Sequence, residues 1–454
     1  MRSPITGAGL KTRNHVPWMV VVALGAGVAS PVWAQEAPGA AVRLTLDEAR
    51  ARALDASHRL AEARARETVA QGAVAARVAA ERPLVSASAG YTHTNRVVEF
   101  TVPGPTGPRV LYPDVPDNYR TRLDLQWPIY NGGRNDALES AARAESGAAA
   151  AEVDAARADL RLEVARAFWA VVTARAAVGV VGEALERAGV NVGDARQRLS
   201  AGLVPPNEVA SAEAQQARQR MLLVEASNQR DVALAELARL VGLDPAQTIE
   251  PMADLERPAG AELTVDALAR EGLARRPERK ALELRITAAD LQKAAAAAGR
   301  KPVLAVGGGV DYARPNPKIF PRADRWDDSW DASVNVTWSV WDGGRVAADV
   351  AQAAGAATVV RERLREFDSV LALEVRQRSL EISSGTAAVA AADEAVRAAA
   401  EARRVVGERY RAGVIAQGDV LDAELALLQS QLDRTRALAS VRLAESRLDR
   451  AVGR

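Results

Sequence analysis

Cysteine is missing altogether from the 454 residues. That excludes a disulfide framework, thiol catalysis and thiolate metal ligation, and it leaves no lipid acceptor behind a leader. Histidine is nearly missing too. Of three, His15 falls in the leader, and His58 and His93 each stand alone, so no histidine-based acid–base pair or metal site can be assembled. No P-loop or HExxH pattern occurs; Gly25-Ala-Gly27 and Gly307-Gly308-Gly309 resemble phosphate loops only superficially. The expectation is a protein with no catalytic centre, no cofactor and no metal. Aromatics, at 4%, are thin for one compact core of this length, and lysine is almost absent. The 59 basic residues are matched by 58 acidic ones, without the basic excess of a nucleic-acid binder. Beyond the leader no stretch reads as apolar enough for a transmembrane helix. A membrane role would have to use β-strands.

What the chain does have is alanine, leucine, arginine and glutamate, the residues of long helices. Residues 1–34 read as a secretory signal peptide. Arg2, Lys11 and Arg13 form the basic start, Val16 to Ala29 the apolar stretch, and Val32-Trp33-Ala34 the small-residue site before Gln35. The apolar run is short of the ~20 residues of a membrane span. Loss of those three basic residues leaves the remainder slightly acidic.

The rest is one unit written twice. Trp127-Pro-Ile-Tyr-Asn-Gly-Gly-Arg134 returns as Trp338-Ser-Val-Trp-Asp-Gly-Gly-Arg345, 211 positions on, and Arg198-Leu-Ser-Ala-Gly202 returns at the same offset as Arg409-Tyr-Arg-Ala-Gly413. Upstream, Leu44-Thr-Leu-Asp47 and Pro83 return as Leu263-Thr-Val-Asp266 and Pro302, 219 positions on. The first copy spans 35–245, as a helix, a β-hairpin over 84–130 and a helical hairpin over 135–243. The second spans 246–454, as a helix, a β-hairpin over 303–341 and a helical hairpin over 345–452. The Pro-, Asp- and Gly-rich stretch from Asp244 to Gly260 divides them. Leu44 to Arg82 and Leu263 to Arg300 read as the leading helices, ended by Pro83 and Pro302.

After each proline the apolar period switches to two. Val85, Ala87, Ala89 and Tyr91 alternate with polar or small residues, as do Leu123, Leu125, Trp127 and Ile129, then Leu304, Val306, Val310 and Tyr312, then Val334, Val336, Trp338 and Val340. Four strands of about ten residues have the length that crosses a bilayer at barrel tilt. Trp127, Tyr130, Trp338 and Trp341 stand at the same ends of their strands, as an interfacial aromatic belt would. A soluble hairpin with one wet face carries the same alternation; the leader, the Pro- and Gly-rich loops and the matched aromatics favour the membrane. Four strands cannot close a barrel, whose minimum is about eight, so closure must be shared between two, three or more chains. The Gly-Gly turns then release helices of about 100 Å, which must pair. Leu421, Leu425, Leu428 and Leu432 offer a seam at 4-3-4 spacing.

Over essentially all of this repeated plan the chain resembles the TolC-like outer-membrane efflux protein family (outer membrane factors). The detail lies in two turns. Gly202-Leu203-Val204-Pro205-Pro206-Asn207-Glu208-Val209 is similar to the family's first periplasmic tip. Tyr410-Arg-Ala-Gly413-Val414 followed by Asp419-Val-Leu-Asp422 is similar to the tip that closes the tunnel. The resemblance implies a mainly α mixed fold: a homotrimeric 12-stranded transmembrane β-barrel, four strands per chain, continued by a long α-helical coiled-coil periplasmic tunnel. It implies a channel for efflux or type I secretion, in contact with outer membrane lipid, that takes substrates from an inner-membrane transporter (ABC or RND type) through a periplasmic adaptor (membrane fusion protein). Asp419 and Asp422 would ring the periplasmic constriction, Tyr410 and Glu208 would make gate contacts, and Gly202, Leu203, Gly413 and Val414 would form the adaptor-docking tips. Asp419 is also placed to be a helix N-cap, and Glu208 a first-turn acid. Where some relatives carry a gate arginine, this chain has Ile415, which leaves its closing network open. The rival is a secreted or periplasmic structural coiled-coil protein that never inserts.

Overall fold

The computed structural model describes residues 41–244, 247–256 and 264–454. The signal peptide, its cleavage point after Ala34, and Leu263 lie outside these residues. In chain order the elements are β1 (Val42–Leu44), α1 (Leu46–Ala56), α2 (His58–Ala79), β2 (Leu84–His93), β3 (Phe100–Val102), β4 (Arg109–Tyr112), β5 (Asp117–Tyr130), α3 (Arg134–Ser200) and α4 (Pro206–Leu240). There follow β6 (Ile249–Pro251), α5 (Val265–Arg275), α6 (Pro277–Ala297), β7 (Val303–Arg314), β8 (Asp327–Thr337), α7 (Arg345–Arg411) and α8 (Gln417–Val452).

Each leading helix is in fact two. In the first copy Ser57 is extended and its hydroxyl accepts the Leu60 N–H (3.2 Å), capping α2. In the second copy Arg276 is extended ahead of Pro277, which occupies the first helical position of α6. The two breaks are 219 positions apart, so they belong to the repeat. Only one of them carries a proline.

The four long strands form one antiparallel sheet in the order β2-β5-β7-β8. The central pair, β5 with β7, joins the copies. β8 stops at Thr337, opposite Val303, four residues before the expected end of its hairpin. Its partner has run out there, because β7 begins only after Pro302. The longer loop of the first copy holds a small hairpin of its own, β3 with β4.

α3 and α7 span 67 residues each. A stretch of α3 is, contrary to expectation, apolar and long enough by composition to cross a membrane. Elsewhere along its length the helix supplies core: Val164, Phe168 and Val171 pack with Leu44, Ala53, Leu237 and Ile249. A second cluster joins Leu268, Leu371, Val375 and Val452 at the matching place in the other copy. Arg450, itself buried, ties them by reaching Asp159 on α3 (2.9 Å) and Glu278 on α6.

The seam of α8 is also shifted. Val420, Leu427, Leu428 and Leu438 are buried, Leu421 and Leu432 half-buried, and Leu425 exposed. α8 faces both α7 and α3, and two neighbours at an angle bury a broader stripe than the narrow seam of a two-helix coil.

Candidate functional site

Register assigns every residue of the sheet to a face, because directly opposed residues share one. Val85, Leu125, Gly308 and Ala332 form one row across the four strands, and Ala87, Leu123, Val310 and Trp330 the next. This face is apolar and uncovered: Trp330 is 75% exposed, Val334 68% and Val336 67%. A soluble monomer rarely leaves so large an apolar patch to water. The opposite face is polar over its middle, with rows such as Ser88–Arg122–Asp311–Ser329 and Ser86–Asp124–Gly309–Asp331, and carries Leu84 and Val303 at its helical end.

Aromatics bound the apolar face at both ends. At the helical end, the Trp127 indole N–H donates to the Glu81 carbonyl (3.0 Å) and the Trp338 indole to the Arg300 carbonyl (3.0 Å). The same bond thus pins strand to preceding helix in both copies, and leaves the ring faces outward. Tyr130 is exposed beside Trp127. Trp341, 88% exposed, lies beyond the end of β8. At the far end stands a second cluster: Tyr91 beside Tyr119 (5.1 Å between centroids), Tyr119 beside Trp326 (5.9 Å), and Trp326 stacked on Tyr312 (4.9 Å). The sequence offered Tyr91 and Tyr312 as strand residues but not Tyr119, and it hid Trp326 in a loop. Two aromatic ends thus bound an apolar band, a pattern that outer-membrane strands also carry.

At the other end of the molecule the two helical turns share one backbone. Leu203 N–H reaches the Arg198 carbonyl (2.9 Å) and Val414 N–H the Arg409 carbonyl (3.0 Å), the six-to-one bond of a Schellman turn. Gly202 (φ +69°) and Gly413 (φ +76°) supply the left-handed residue this turn demands. Leu203 and Val414 are exposed at the tips.

Asp419 and Asp422 are exposed on the start of α8 and share a face by their three-residue spacing. Asp419 is not the N-cap: that position is Ala416, which makes no side-chain cap bond. Asp419 sits in the first turn, where its charge favours the helix dipole.

Tyr410 is buried, and its hydroxyl has no hydrogen-bond partner among the described residues; one buried carboxylate oxygen of Glu208 is in the same position. Burial pushes the Tyr410 phenol up, nearby Arg198 lowers it, and Glu208 and Asp194 push it further up. The two make no hydrogen bond with each other. What holds Tyr410 is Arg198 of the other hairpin. Its guanidinium lies 4.3 Å from the ring centroid and donates to the Tyr410 and Arg411 carbonyls (3.0 and 3.2 Å). Further along, Glu424 of α8 accepts from Arg187 of α3 (3.1 Å) and Arg403 of α7 (2.6 Å). The contacts of Arg198 and Arg187 were not legible beforehand, since their partners are backbone carbonyls or lie more than 200 residues away.

An exposed apolar face with a polar reverse, carried on helical hairpins of this length, defines the protomer of an outer-membrane channel-tunnel. The outer membrane efflux protein model matches residues 49–243 and 268–454; the chain belongs to that family. Its fold is similar to the outer membrane protein VceC of Vibrio cholerae, with TM-score 0.75 and 24% identity over 90% of this chain and 96% of that one. It is similar also to the MtrE outer membrane channel of Neisseria gonorrhoeae, with TM-score 0.73 and 19% identity over 90% and 88%. In sequence it is 29% identical to Protein CyaE of Bordetella pertussis over 226 residues, 49% of this chain and 46% of that protein. That match thus spans about half the length of this curated relative.

Proposed function

We propose that three copies of this chain close a twelve-stranded barrel in the outer membrane, and that their helices continue it as a tunnel across the periplasm. One observation carries the reading. Among the described residues β2 and β8 are unpaired edges of a sheet whose apolar face is bare. In lipid each unpaired backbone group costs several kcal/mol, so edges of this kind require β2 of one copy to meet β8 of the next. The tunnel takes substrates from an inner-membrane transporter through a periplasmic adaptor docked at Leu203 and Val414, and the exposed Asp419 and Asp422 from three chains ring the narrow inner end. Family membership supports the channel. The trimer, the adaptor contact and the aspartate ring rest on the edges, the apolar tips and the shared face of the two aspartates.

The test is migration of the protein from an outer-membrane fraction on gels before and after heating, with single-channel recording of the purified protein. A heat-modifiable trimer that conducts supports the reading. A monomer recovered from the soluble fraction returns the secreted coiled-coil alternative.

A further inference from the structure

We infer that the β7–β8 loop, residues 315–326, is a strap folded over the polar face of the sheet, so that each chain narrows its own outer mouth. This rests on the proposed channel, in which the polar face lines the pore. Asn316 and Lys318 place the strap by contacts on that face, while Trp326 at its end turns to the apolar-face tyrosines Tyr119 and Tyr312. Asp311 and Ser329 oppose each other in the ladder. Asn316, at the start of the loop, donates to the Ser329 hydroxyl (2.9 Å) and the Asp327 carbonyl (3.0 Å), and accepts the Lys318 N–H (2.9 Å) on its own side-chain oxygen. Lys318 then reaches back over the sheet to Asp311 (2.8 Å) and Asp331. The loop's return is held by Arg322, whose guanidinium donates to Asn118 (2.9 Å) and the Tyr112 hydroxyl.

Burial separates this from an ordinary exposed loop. In a sheet whose other residues are mostly open, Asp311 is 1% exposed and Asn316 2%. A carboxylate is buried only where cations and donors meet it, and Asp311 has Arg120 (2.7 Å), Arg122 and Lys318. The sheet is prepared for this. A Cβ on Gly309 would stand 2.7 Å from the Arg122 guanidinium; the missing side chain lets Arg122 lie across the strand to pair with Asp331 (2.9 and 3.2 Å). Three strand acids, Asp124, Asp311 and Asp331, balance Arg120, Arg122 and Lys318. Only Lys318 comes from the loop, so it is the latch. Copies around one barrel would each contribute such a strap at the end of the pore away from the helices. That constriction is separate from the one at the helical tips.

The experiment is exclusion of neutral polymers added to the outer side of a planar bilayer, read as the polymer size that still reduces single-channel conductance. Outer-side access reports the mouth and not the distant tips. Lys318→Met with Asn316→Ala should shift the cut-off to larger polymers. Because the chain has no cysteine, Lys318→Cys with Asp331→Cys gives a closable version: bridged by a short disulfide-containing bifunctional thiol reagent it should keep the wild-type cut-off, and reduced it should shift like the first variant. A reduced pair and a Met/Ala variant that both exclude the same polymers as wild type overturn the strap. A wild-type protein that forms trimers in the membrane yet never conducts overturns the channel reading instead.

Discussion

The two copies of the repeat agree where the backbone makes the structure and differ where the copies touch. The Schellman turns at Gly202 and Gly413, the Gly-Gly entries to α3 and α7, and the indole-to-carbonyl bonds of Trp127 and Trp338 recur position for position. In the side chains just before these turns the likeness ends. Arg198 clamps the end of the other hairpin, while its counterpart Arg409 is exposed and makes no side-chain hydrogen bond or ion pair among the described residues. Leu199 stands where the second copy has Tyr410. Duplicated elements keep the chemistry that ends helices and turns chains, and diverge at the seam where one copy must recognise the other. In this chain the cation that crosses to the end of the second hairpin comes from α3, as Arg198.

This asymmetry can be broken directly. Arg198→Ala removes two charged hydrogen bonds and a ring contact, a local cost of about 1–3 kcal/mol. It should speed amide exchange over the last turn of α7 and raise conductance. Arg409→Ala should change both by little, within about 0.5 kcal/mol. Equal effects would mean the tips are symmetric after all. Where the copies agree, the effects should agree: Trp127→Phe and Trp338→Phe each lose one hydrogen bond, about 1 kcal/mol, and should lower the midpoint of thermal unfolding in detergent by similar amounts.

A smaller difference sits at the helix entries. Asp342 accepts the Gly344 and Val346 N–H groups (both 2.9 Å), and these backbone bonds hold its carboxyl below the usual range. Asn131, its counterpart, accepts the Asn135 N–H (3.1 Å) and does not titrate. A lowered carboxyl stabilises the fold above its unfolded pKa, and that contribution is lost as pH falls through the folded value. Acid should therefore fray the start of α7 before that of α3 by hydrogen exchange, and Asp342→Asn should remove the difference. Least in stability but plain in function, Asp419→Ala with Asp422→Ala should weaken cation preference and relieve block by multivalent cations in bilayer recordings, with the trimer unchanged, because exposed side chains on one helical face bear on the pore and not on packing.

The alternation over β2, β5, β7 and β8 was legible because their two faces meet different solvents, and the tip turns because only glycine serves there. The break at Ser57 was not: a serine cap carries no proline, and only the 219-residue offset to Arg276-Pro277 could have exposed it. The strap was hidden because Asn316 and Lys318 sit in a stretch whose prolines and charges read as an open loop. Arg198 was hidden because its partners are carbonyls, which no side-chain pattern announces.

The central claim is that β2 of one copy closes on β8 of the next. Cysteines at Ser86 or Ser88 on β2, combined with one at Ser333 or Asn335 on β8, place thiols on the polar face of both edges. A short bifunctional thiol reagent applied to intact outer membranes should then give a ladder that ends at the covalent trimer. Crosslinking confined to single chains, or a ladder that continues past three, would contradict the account.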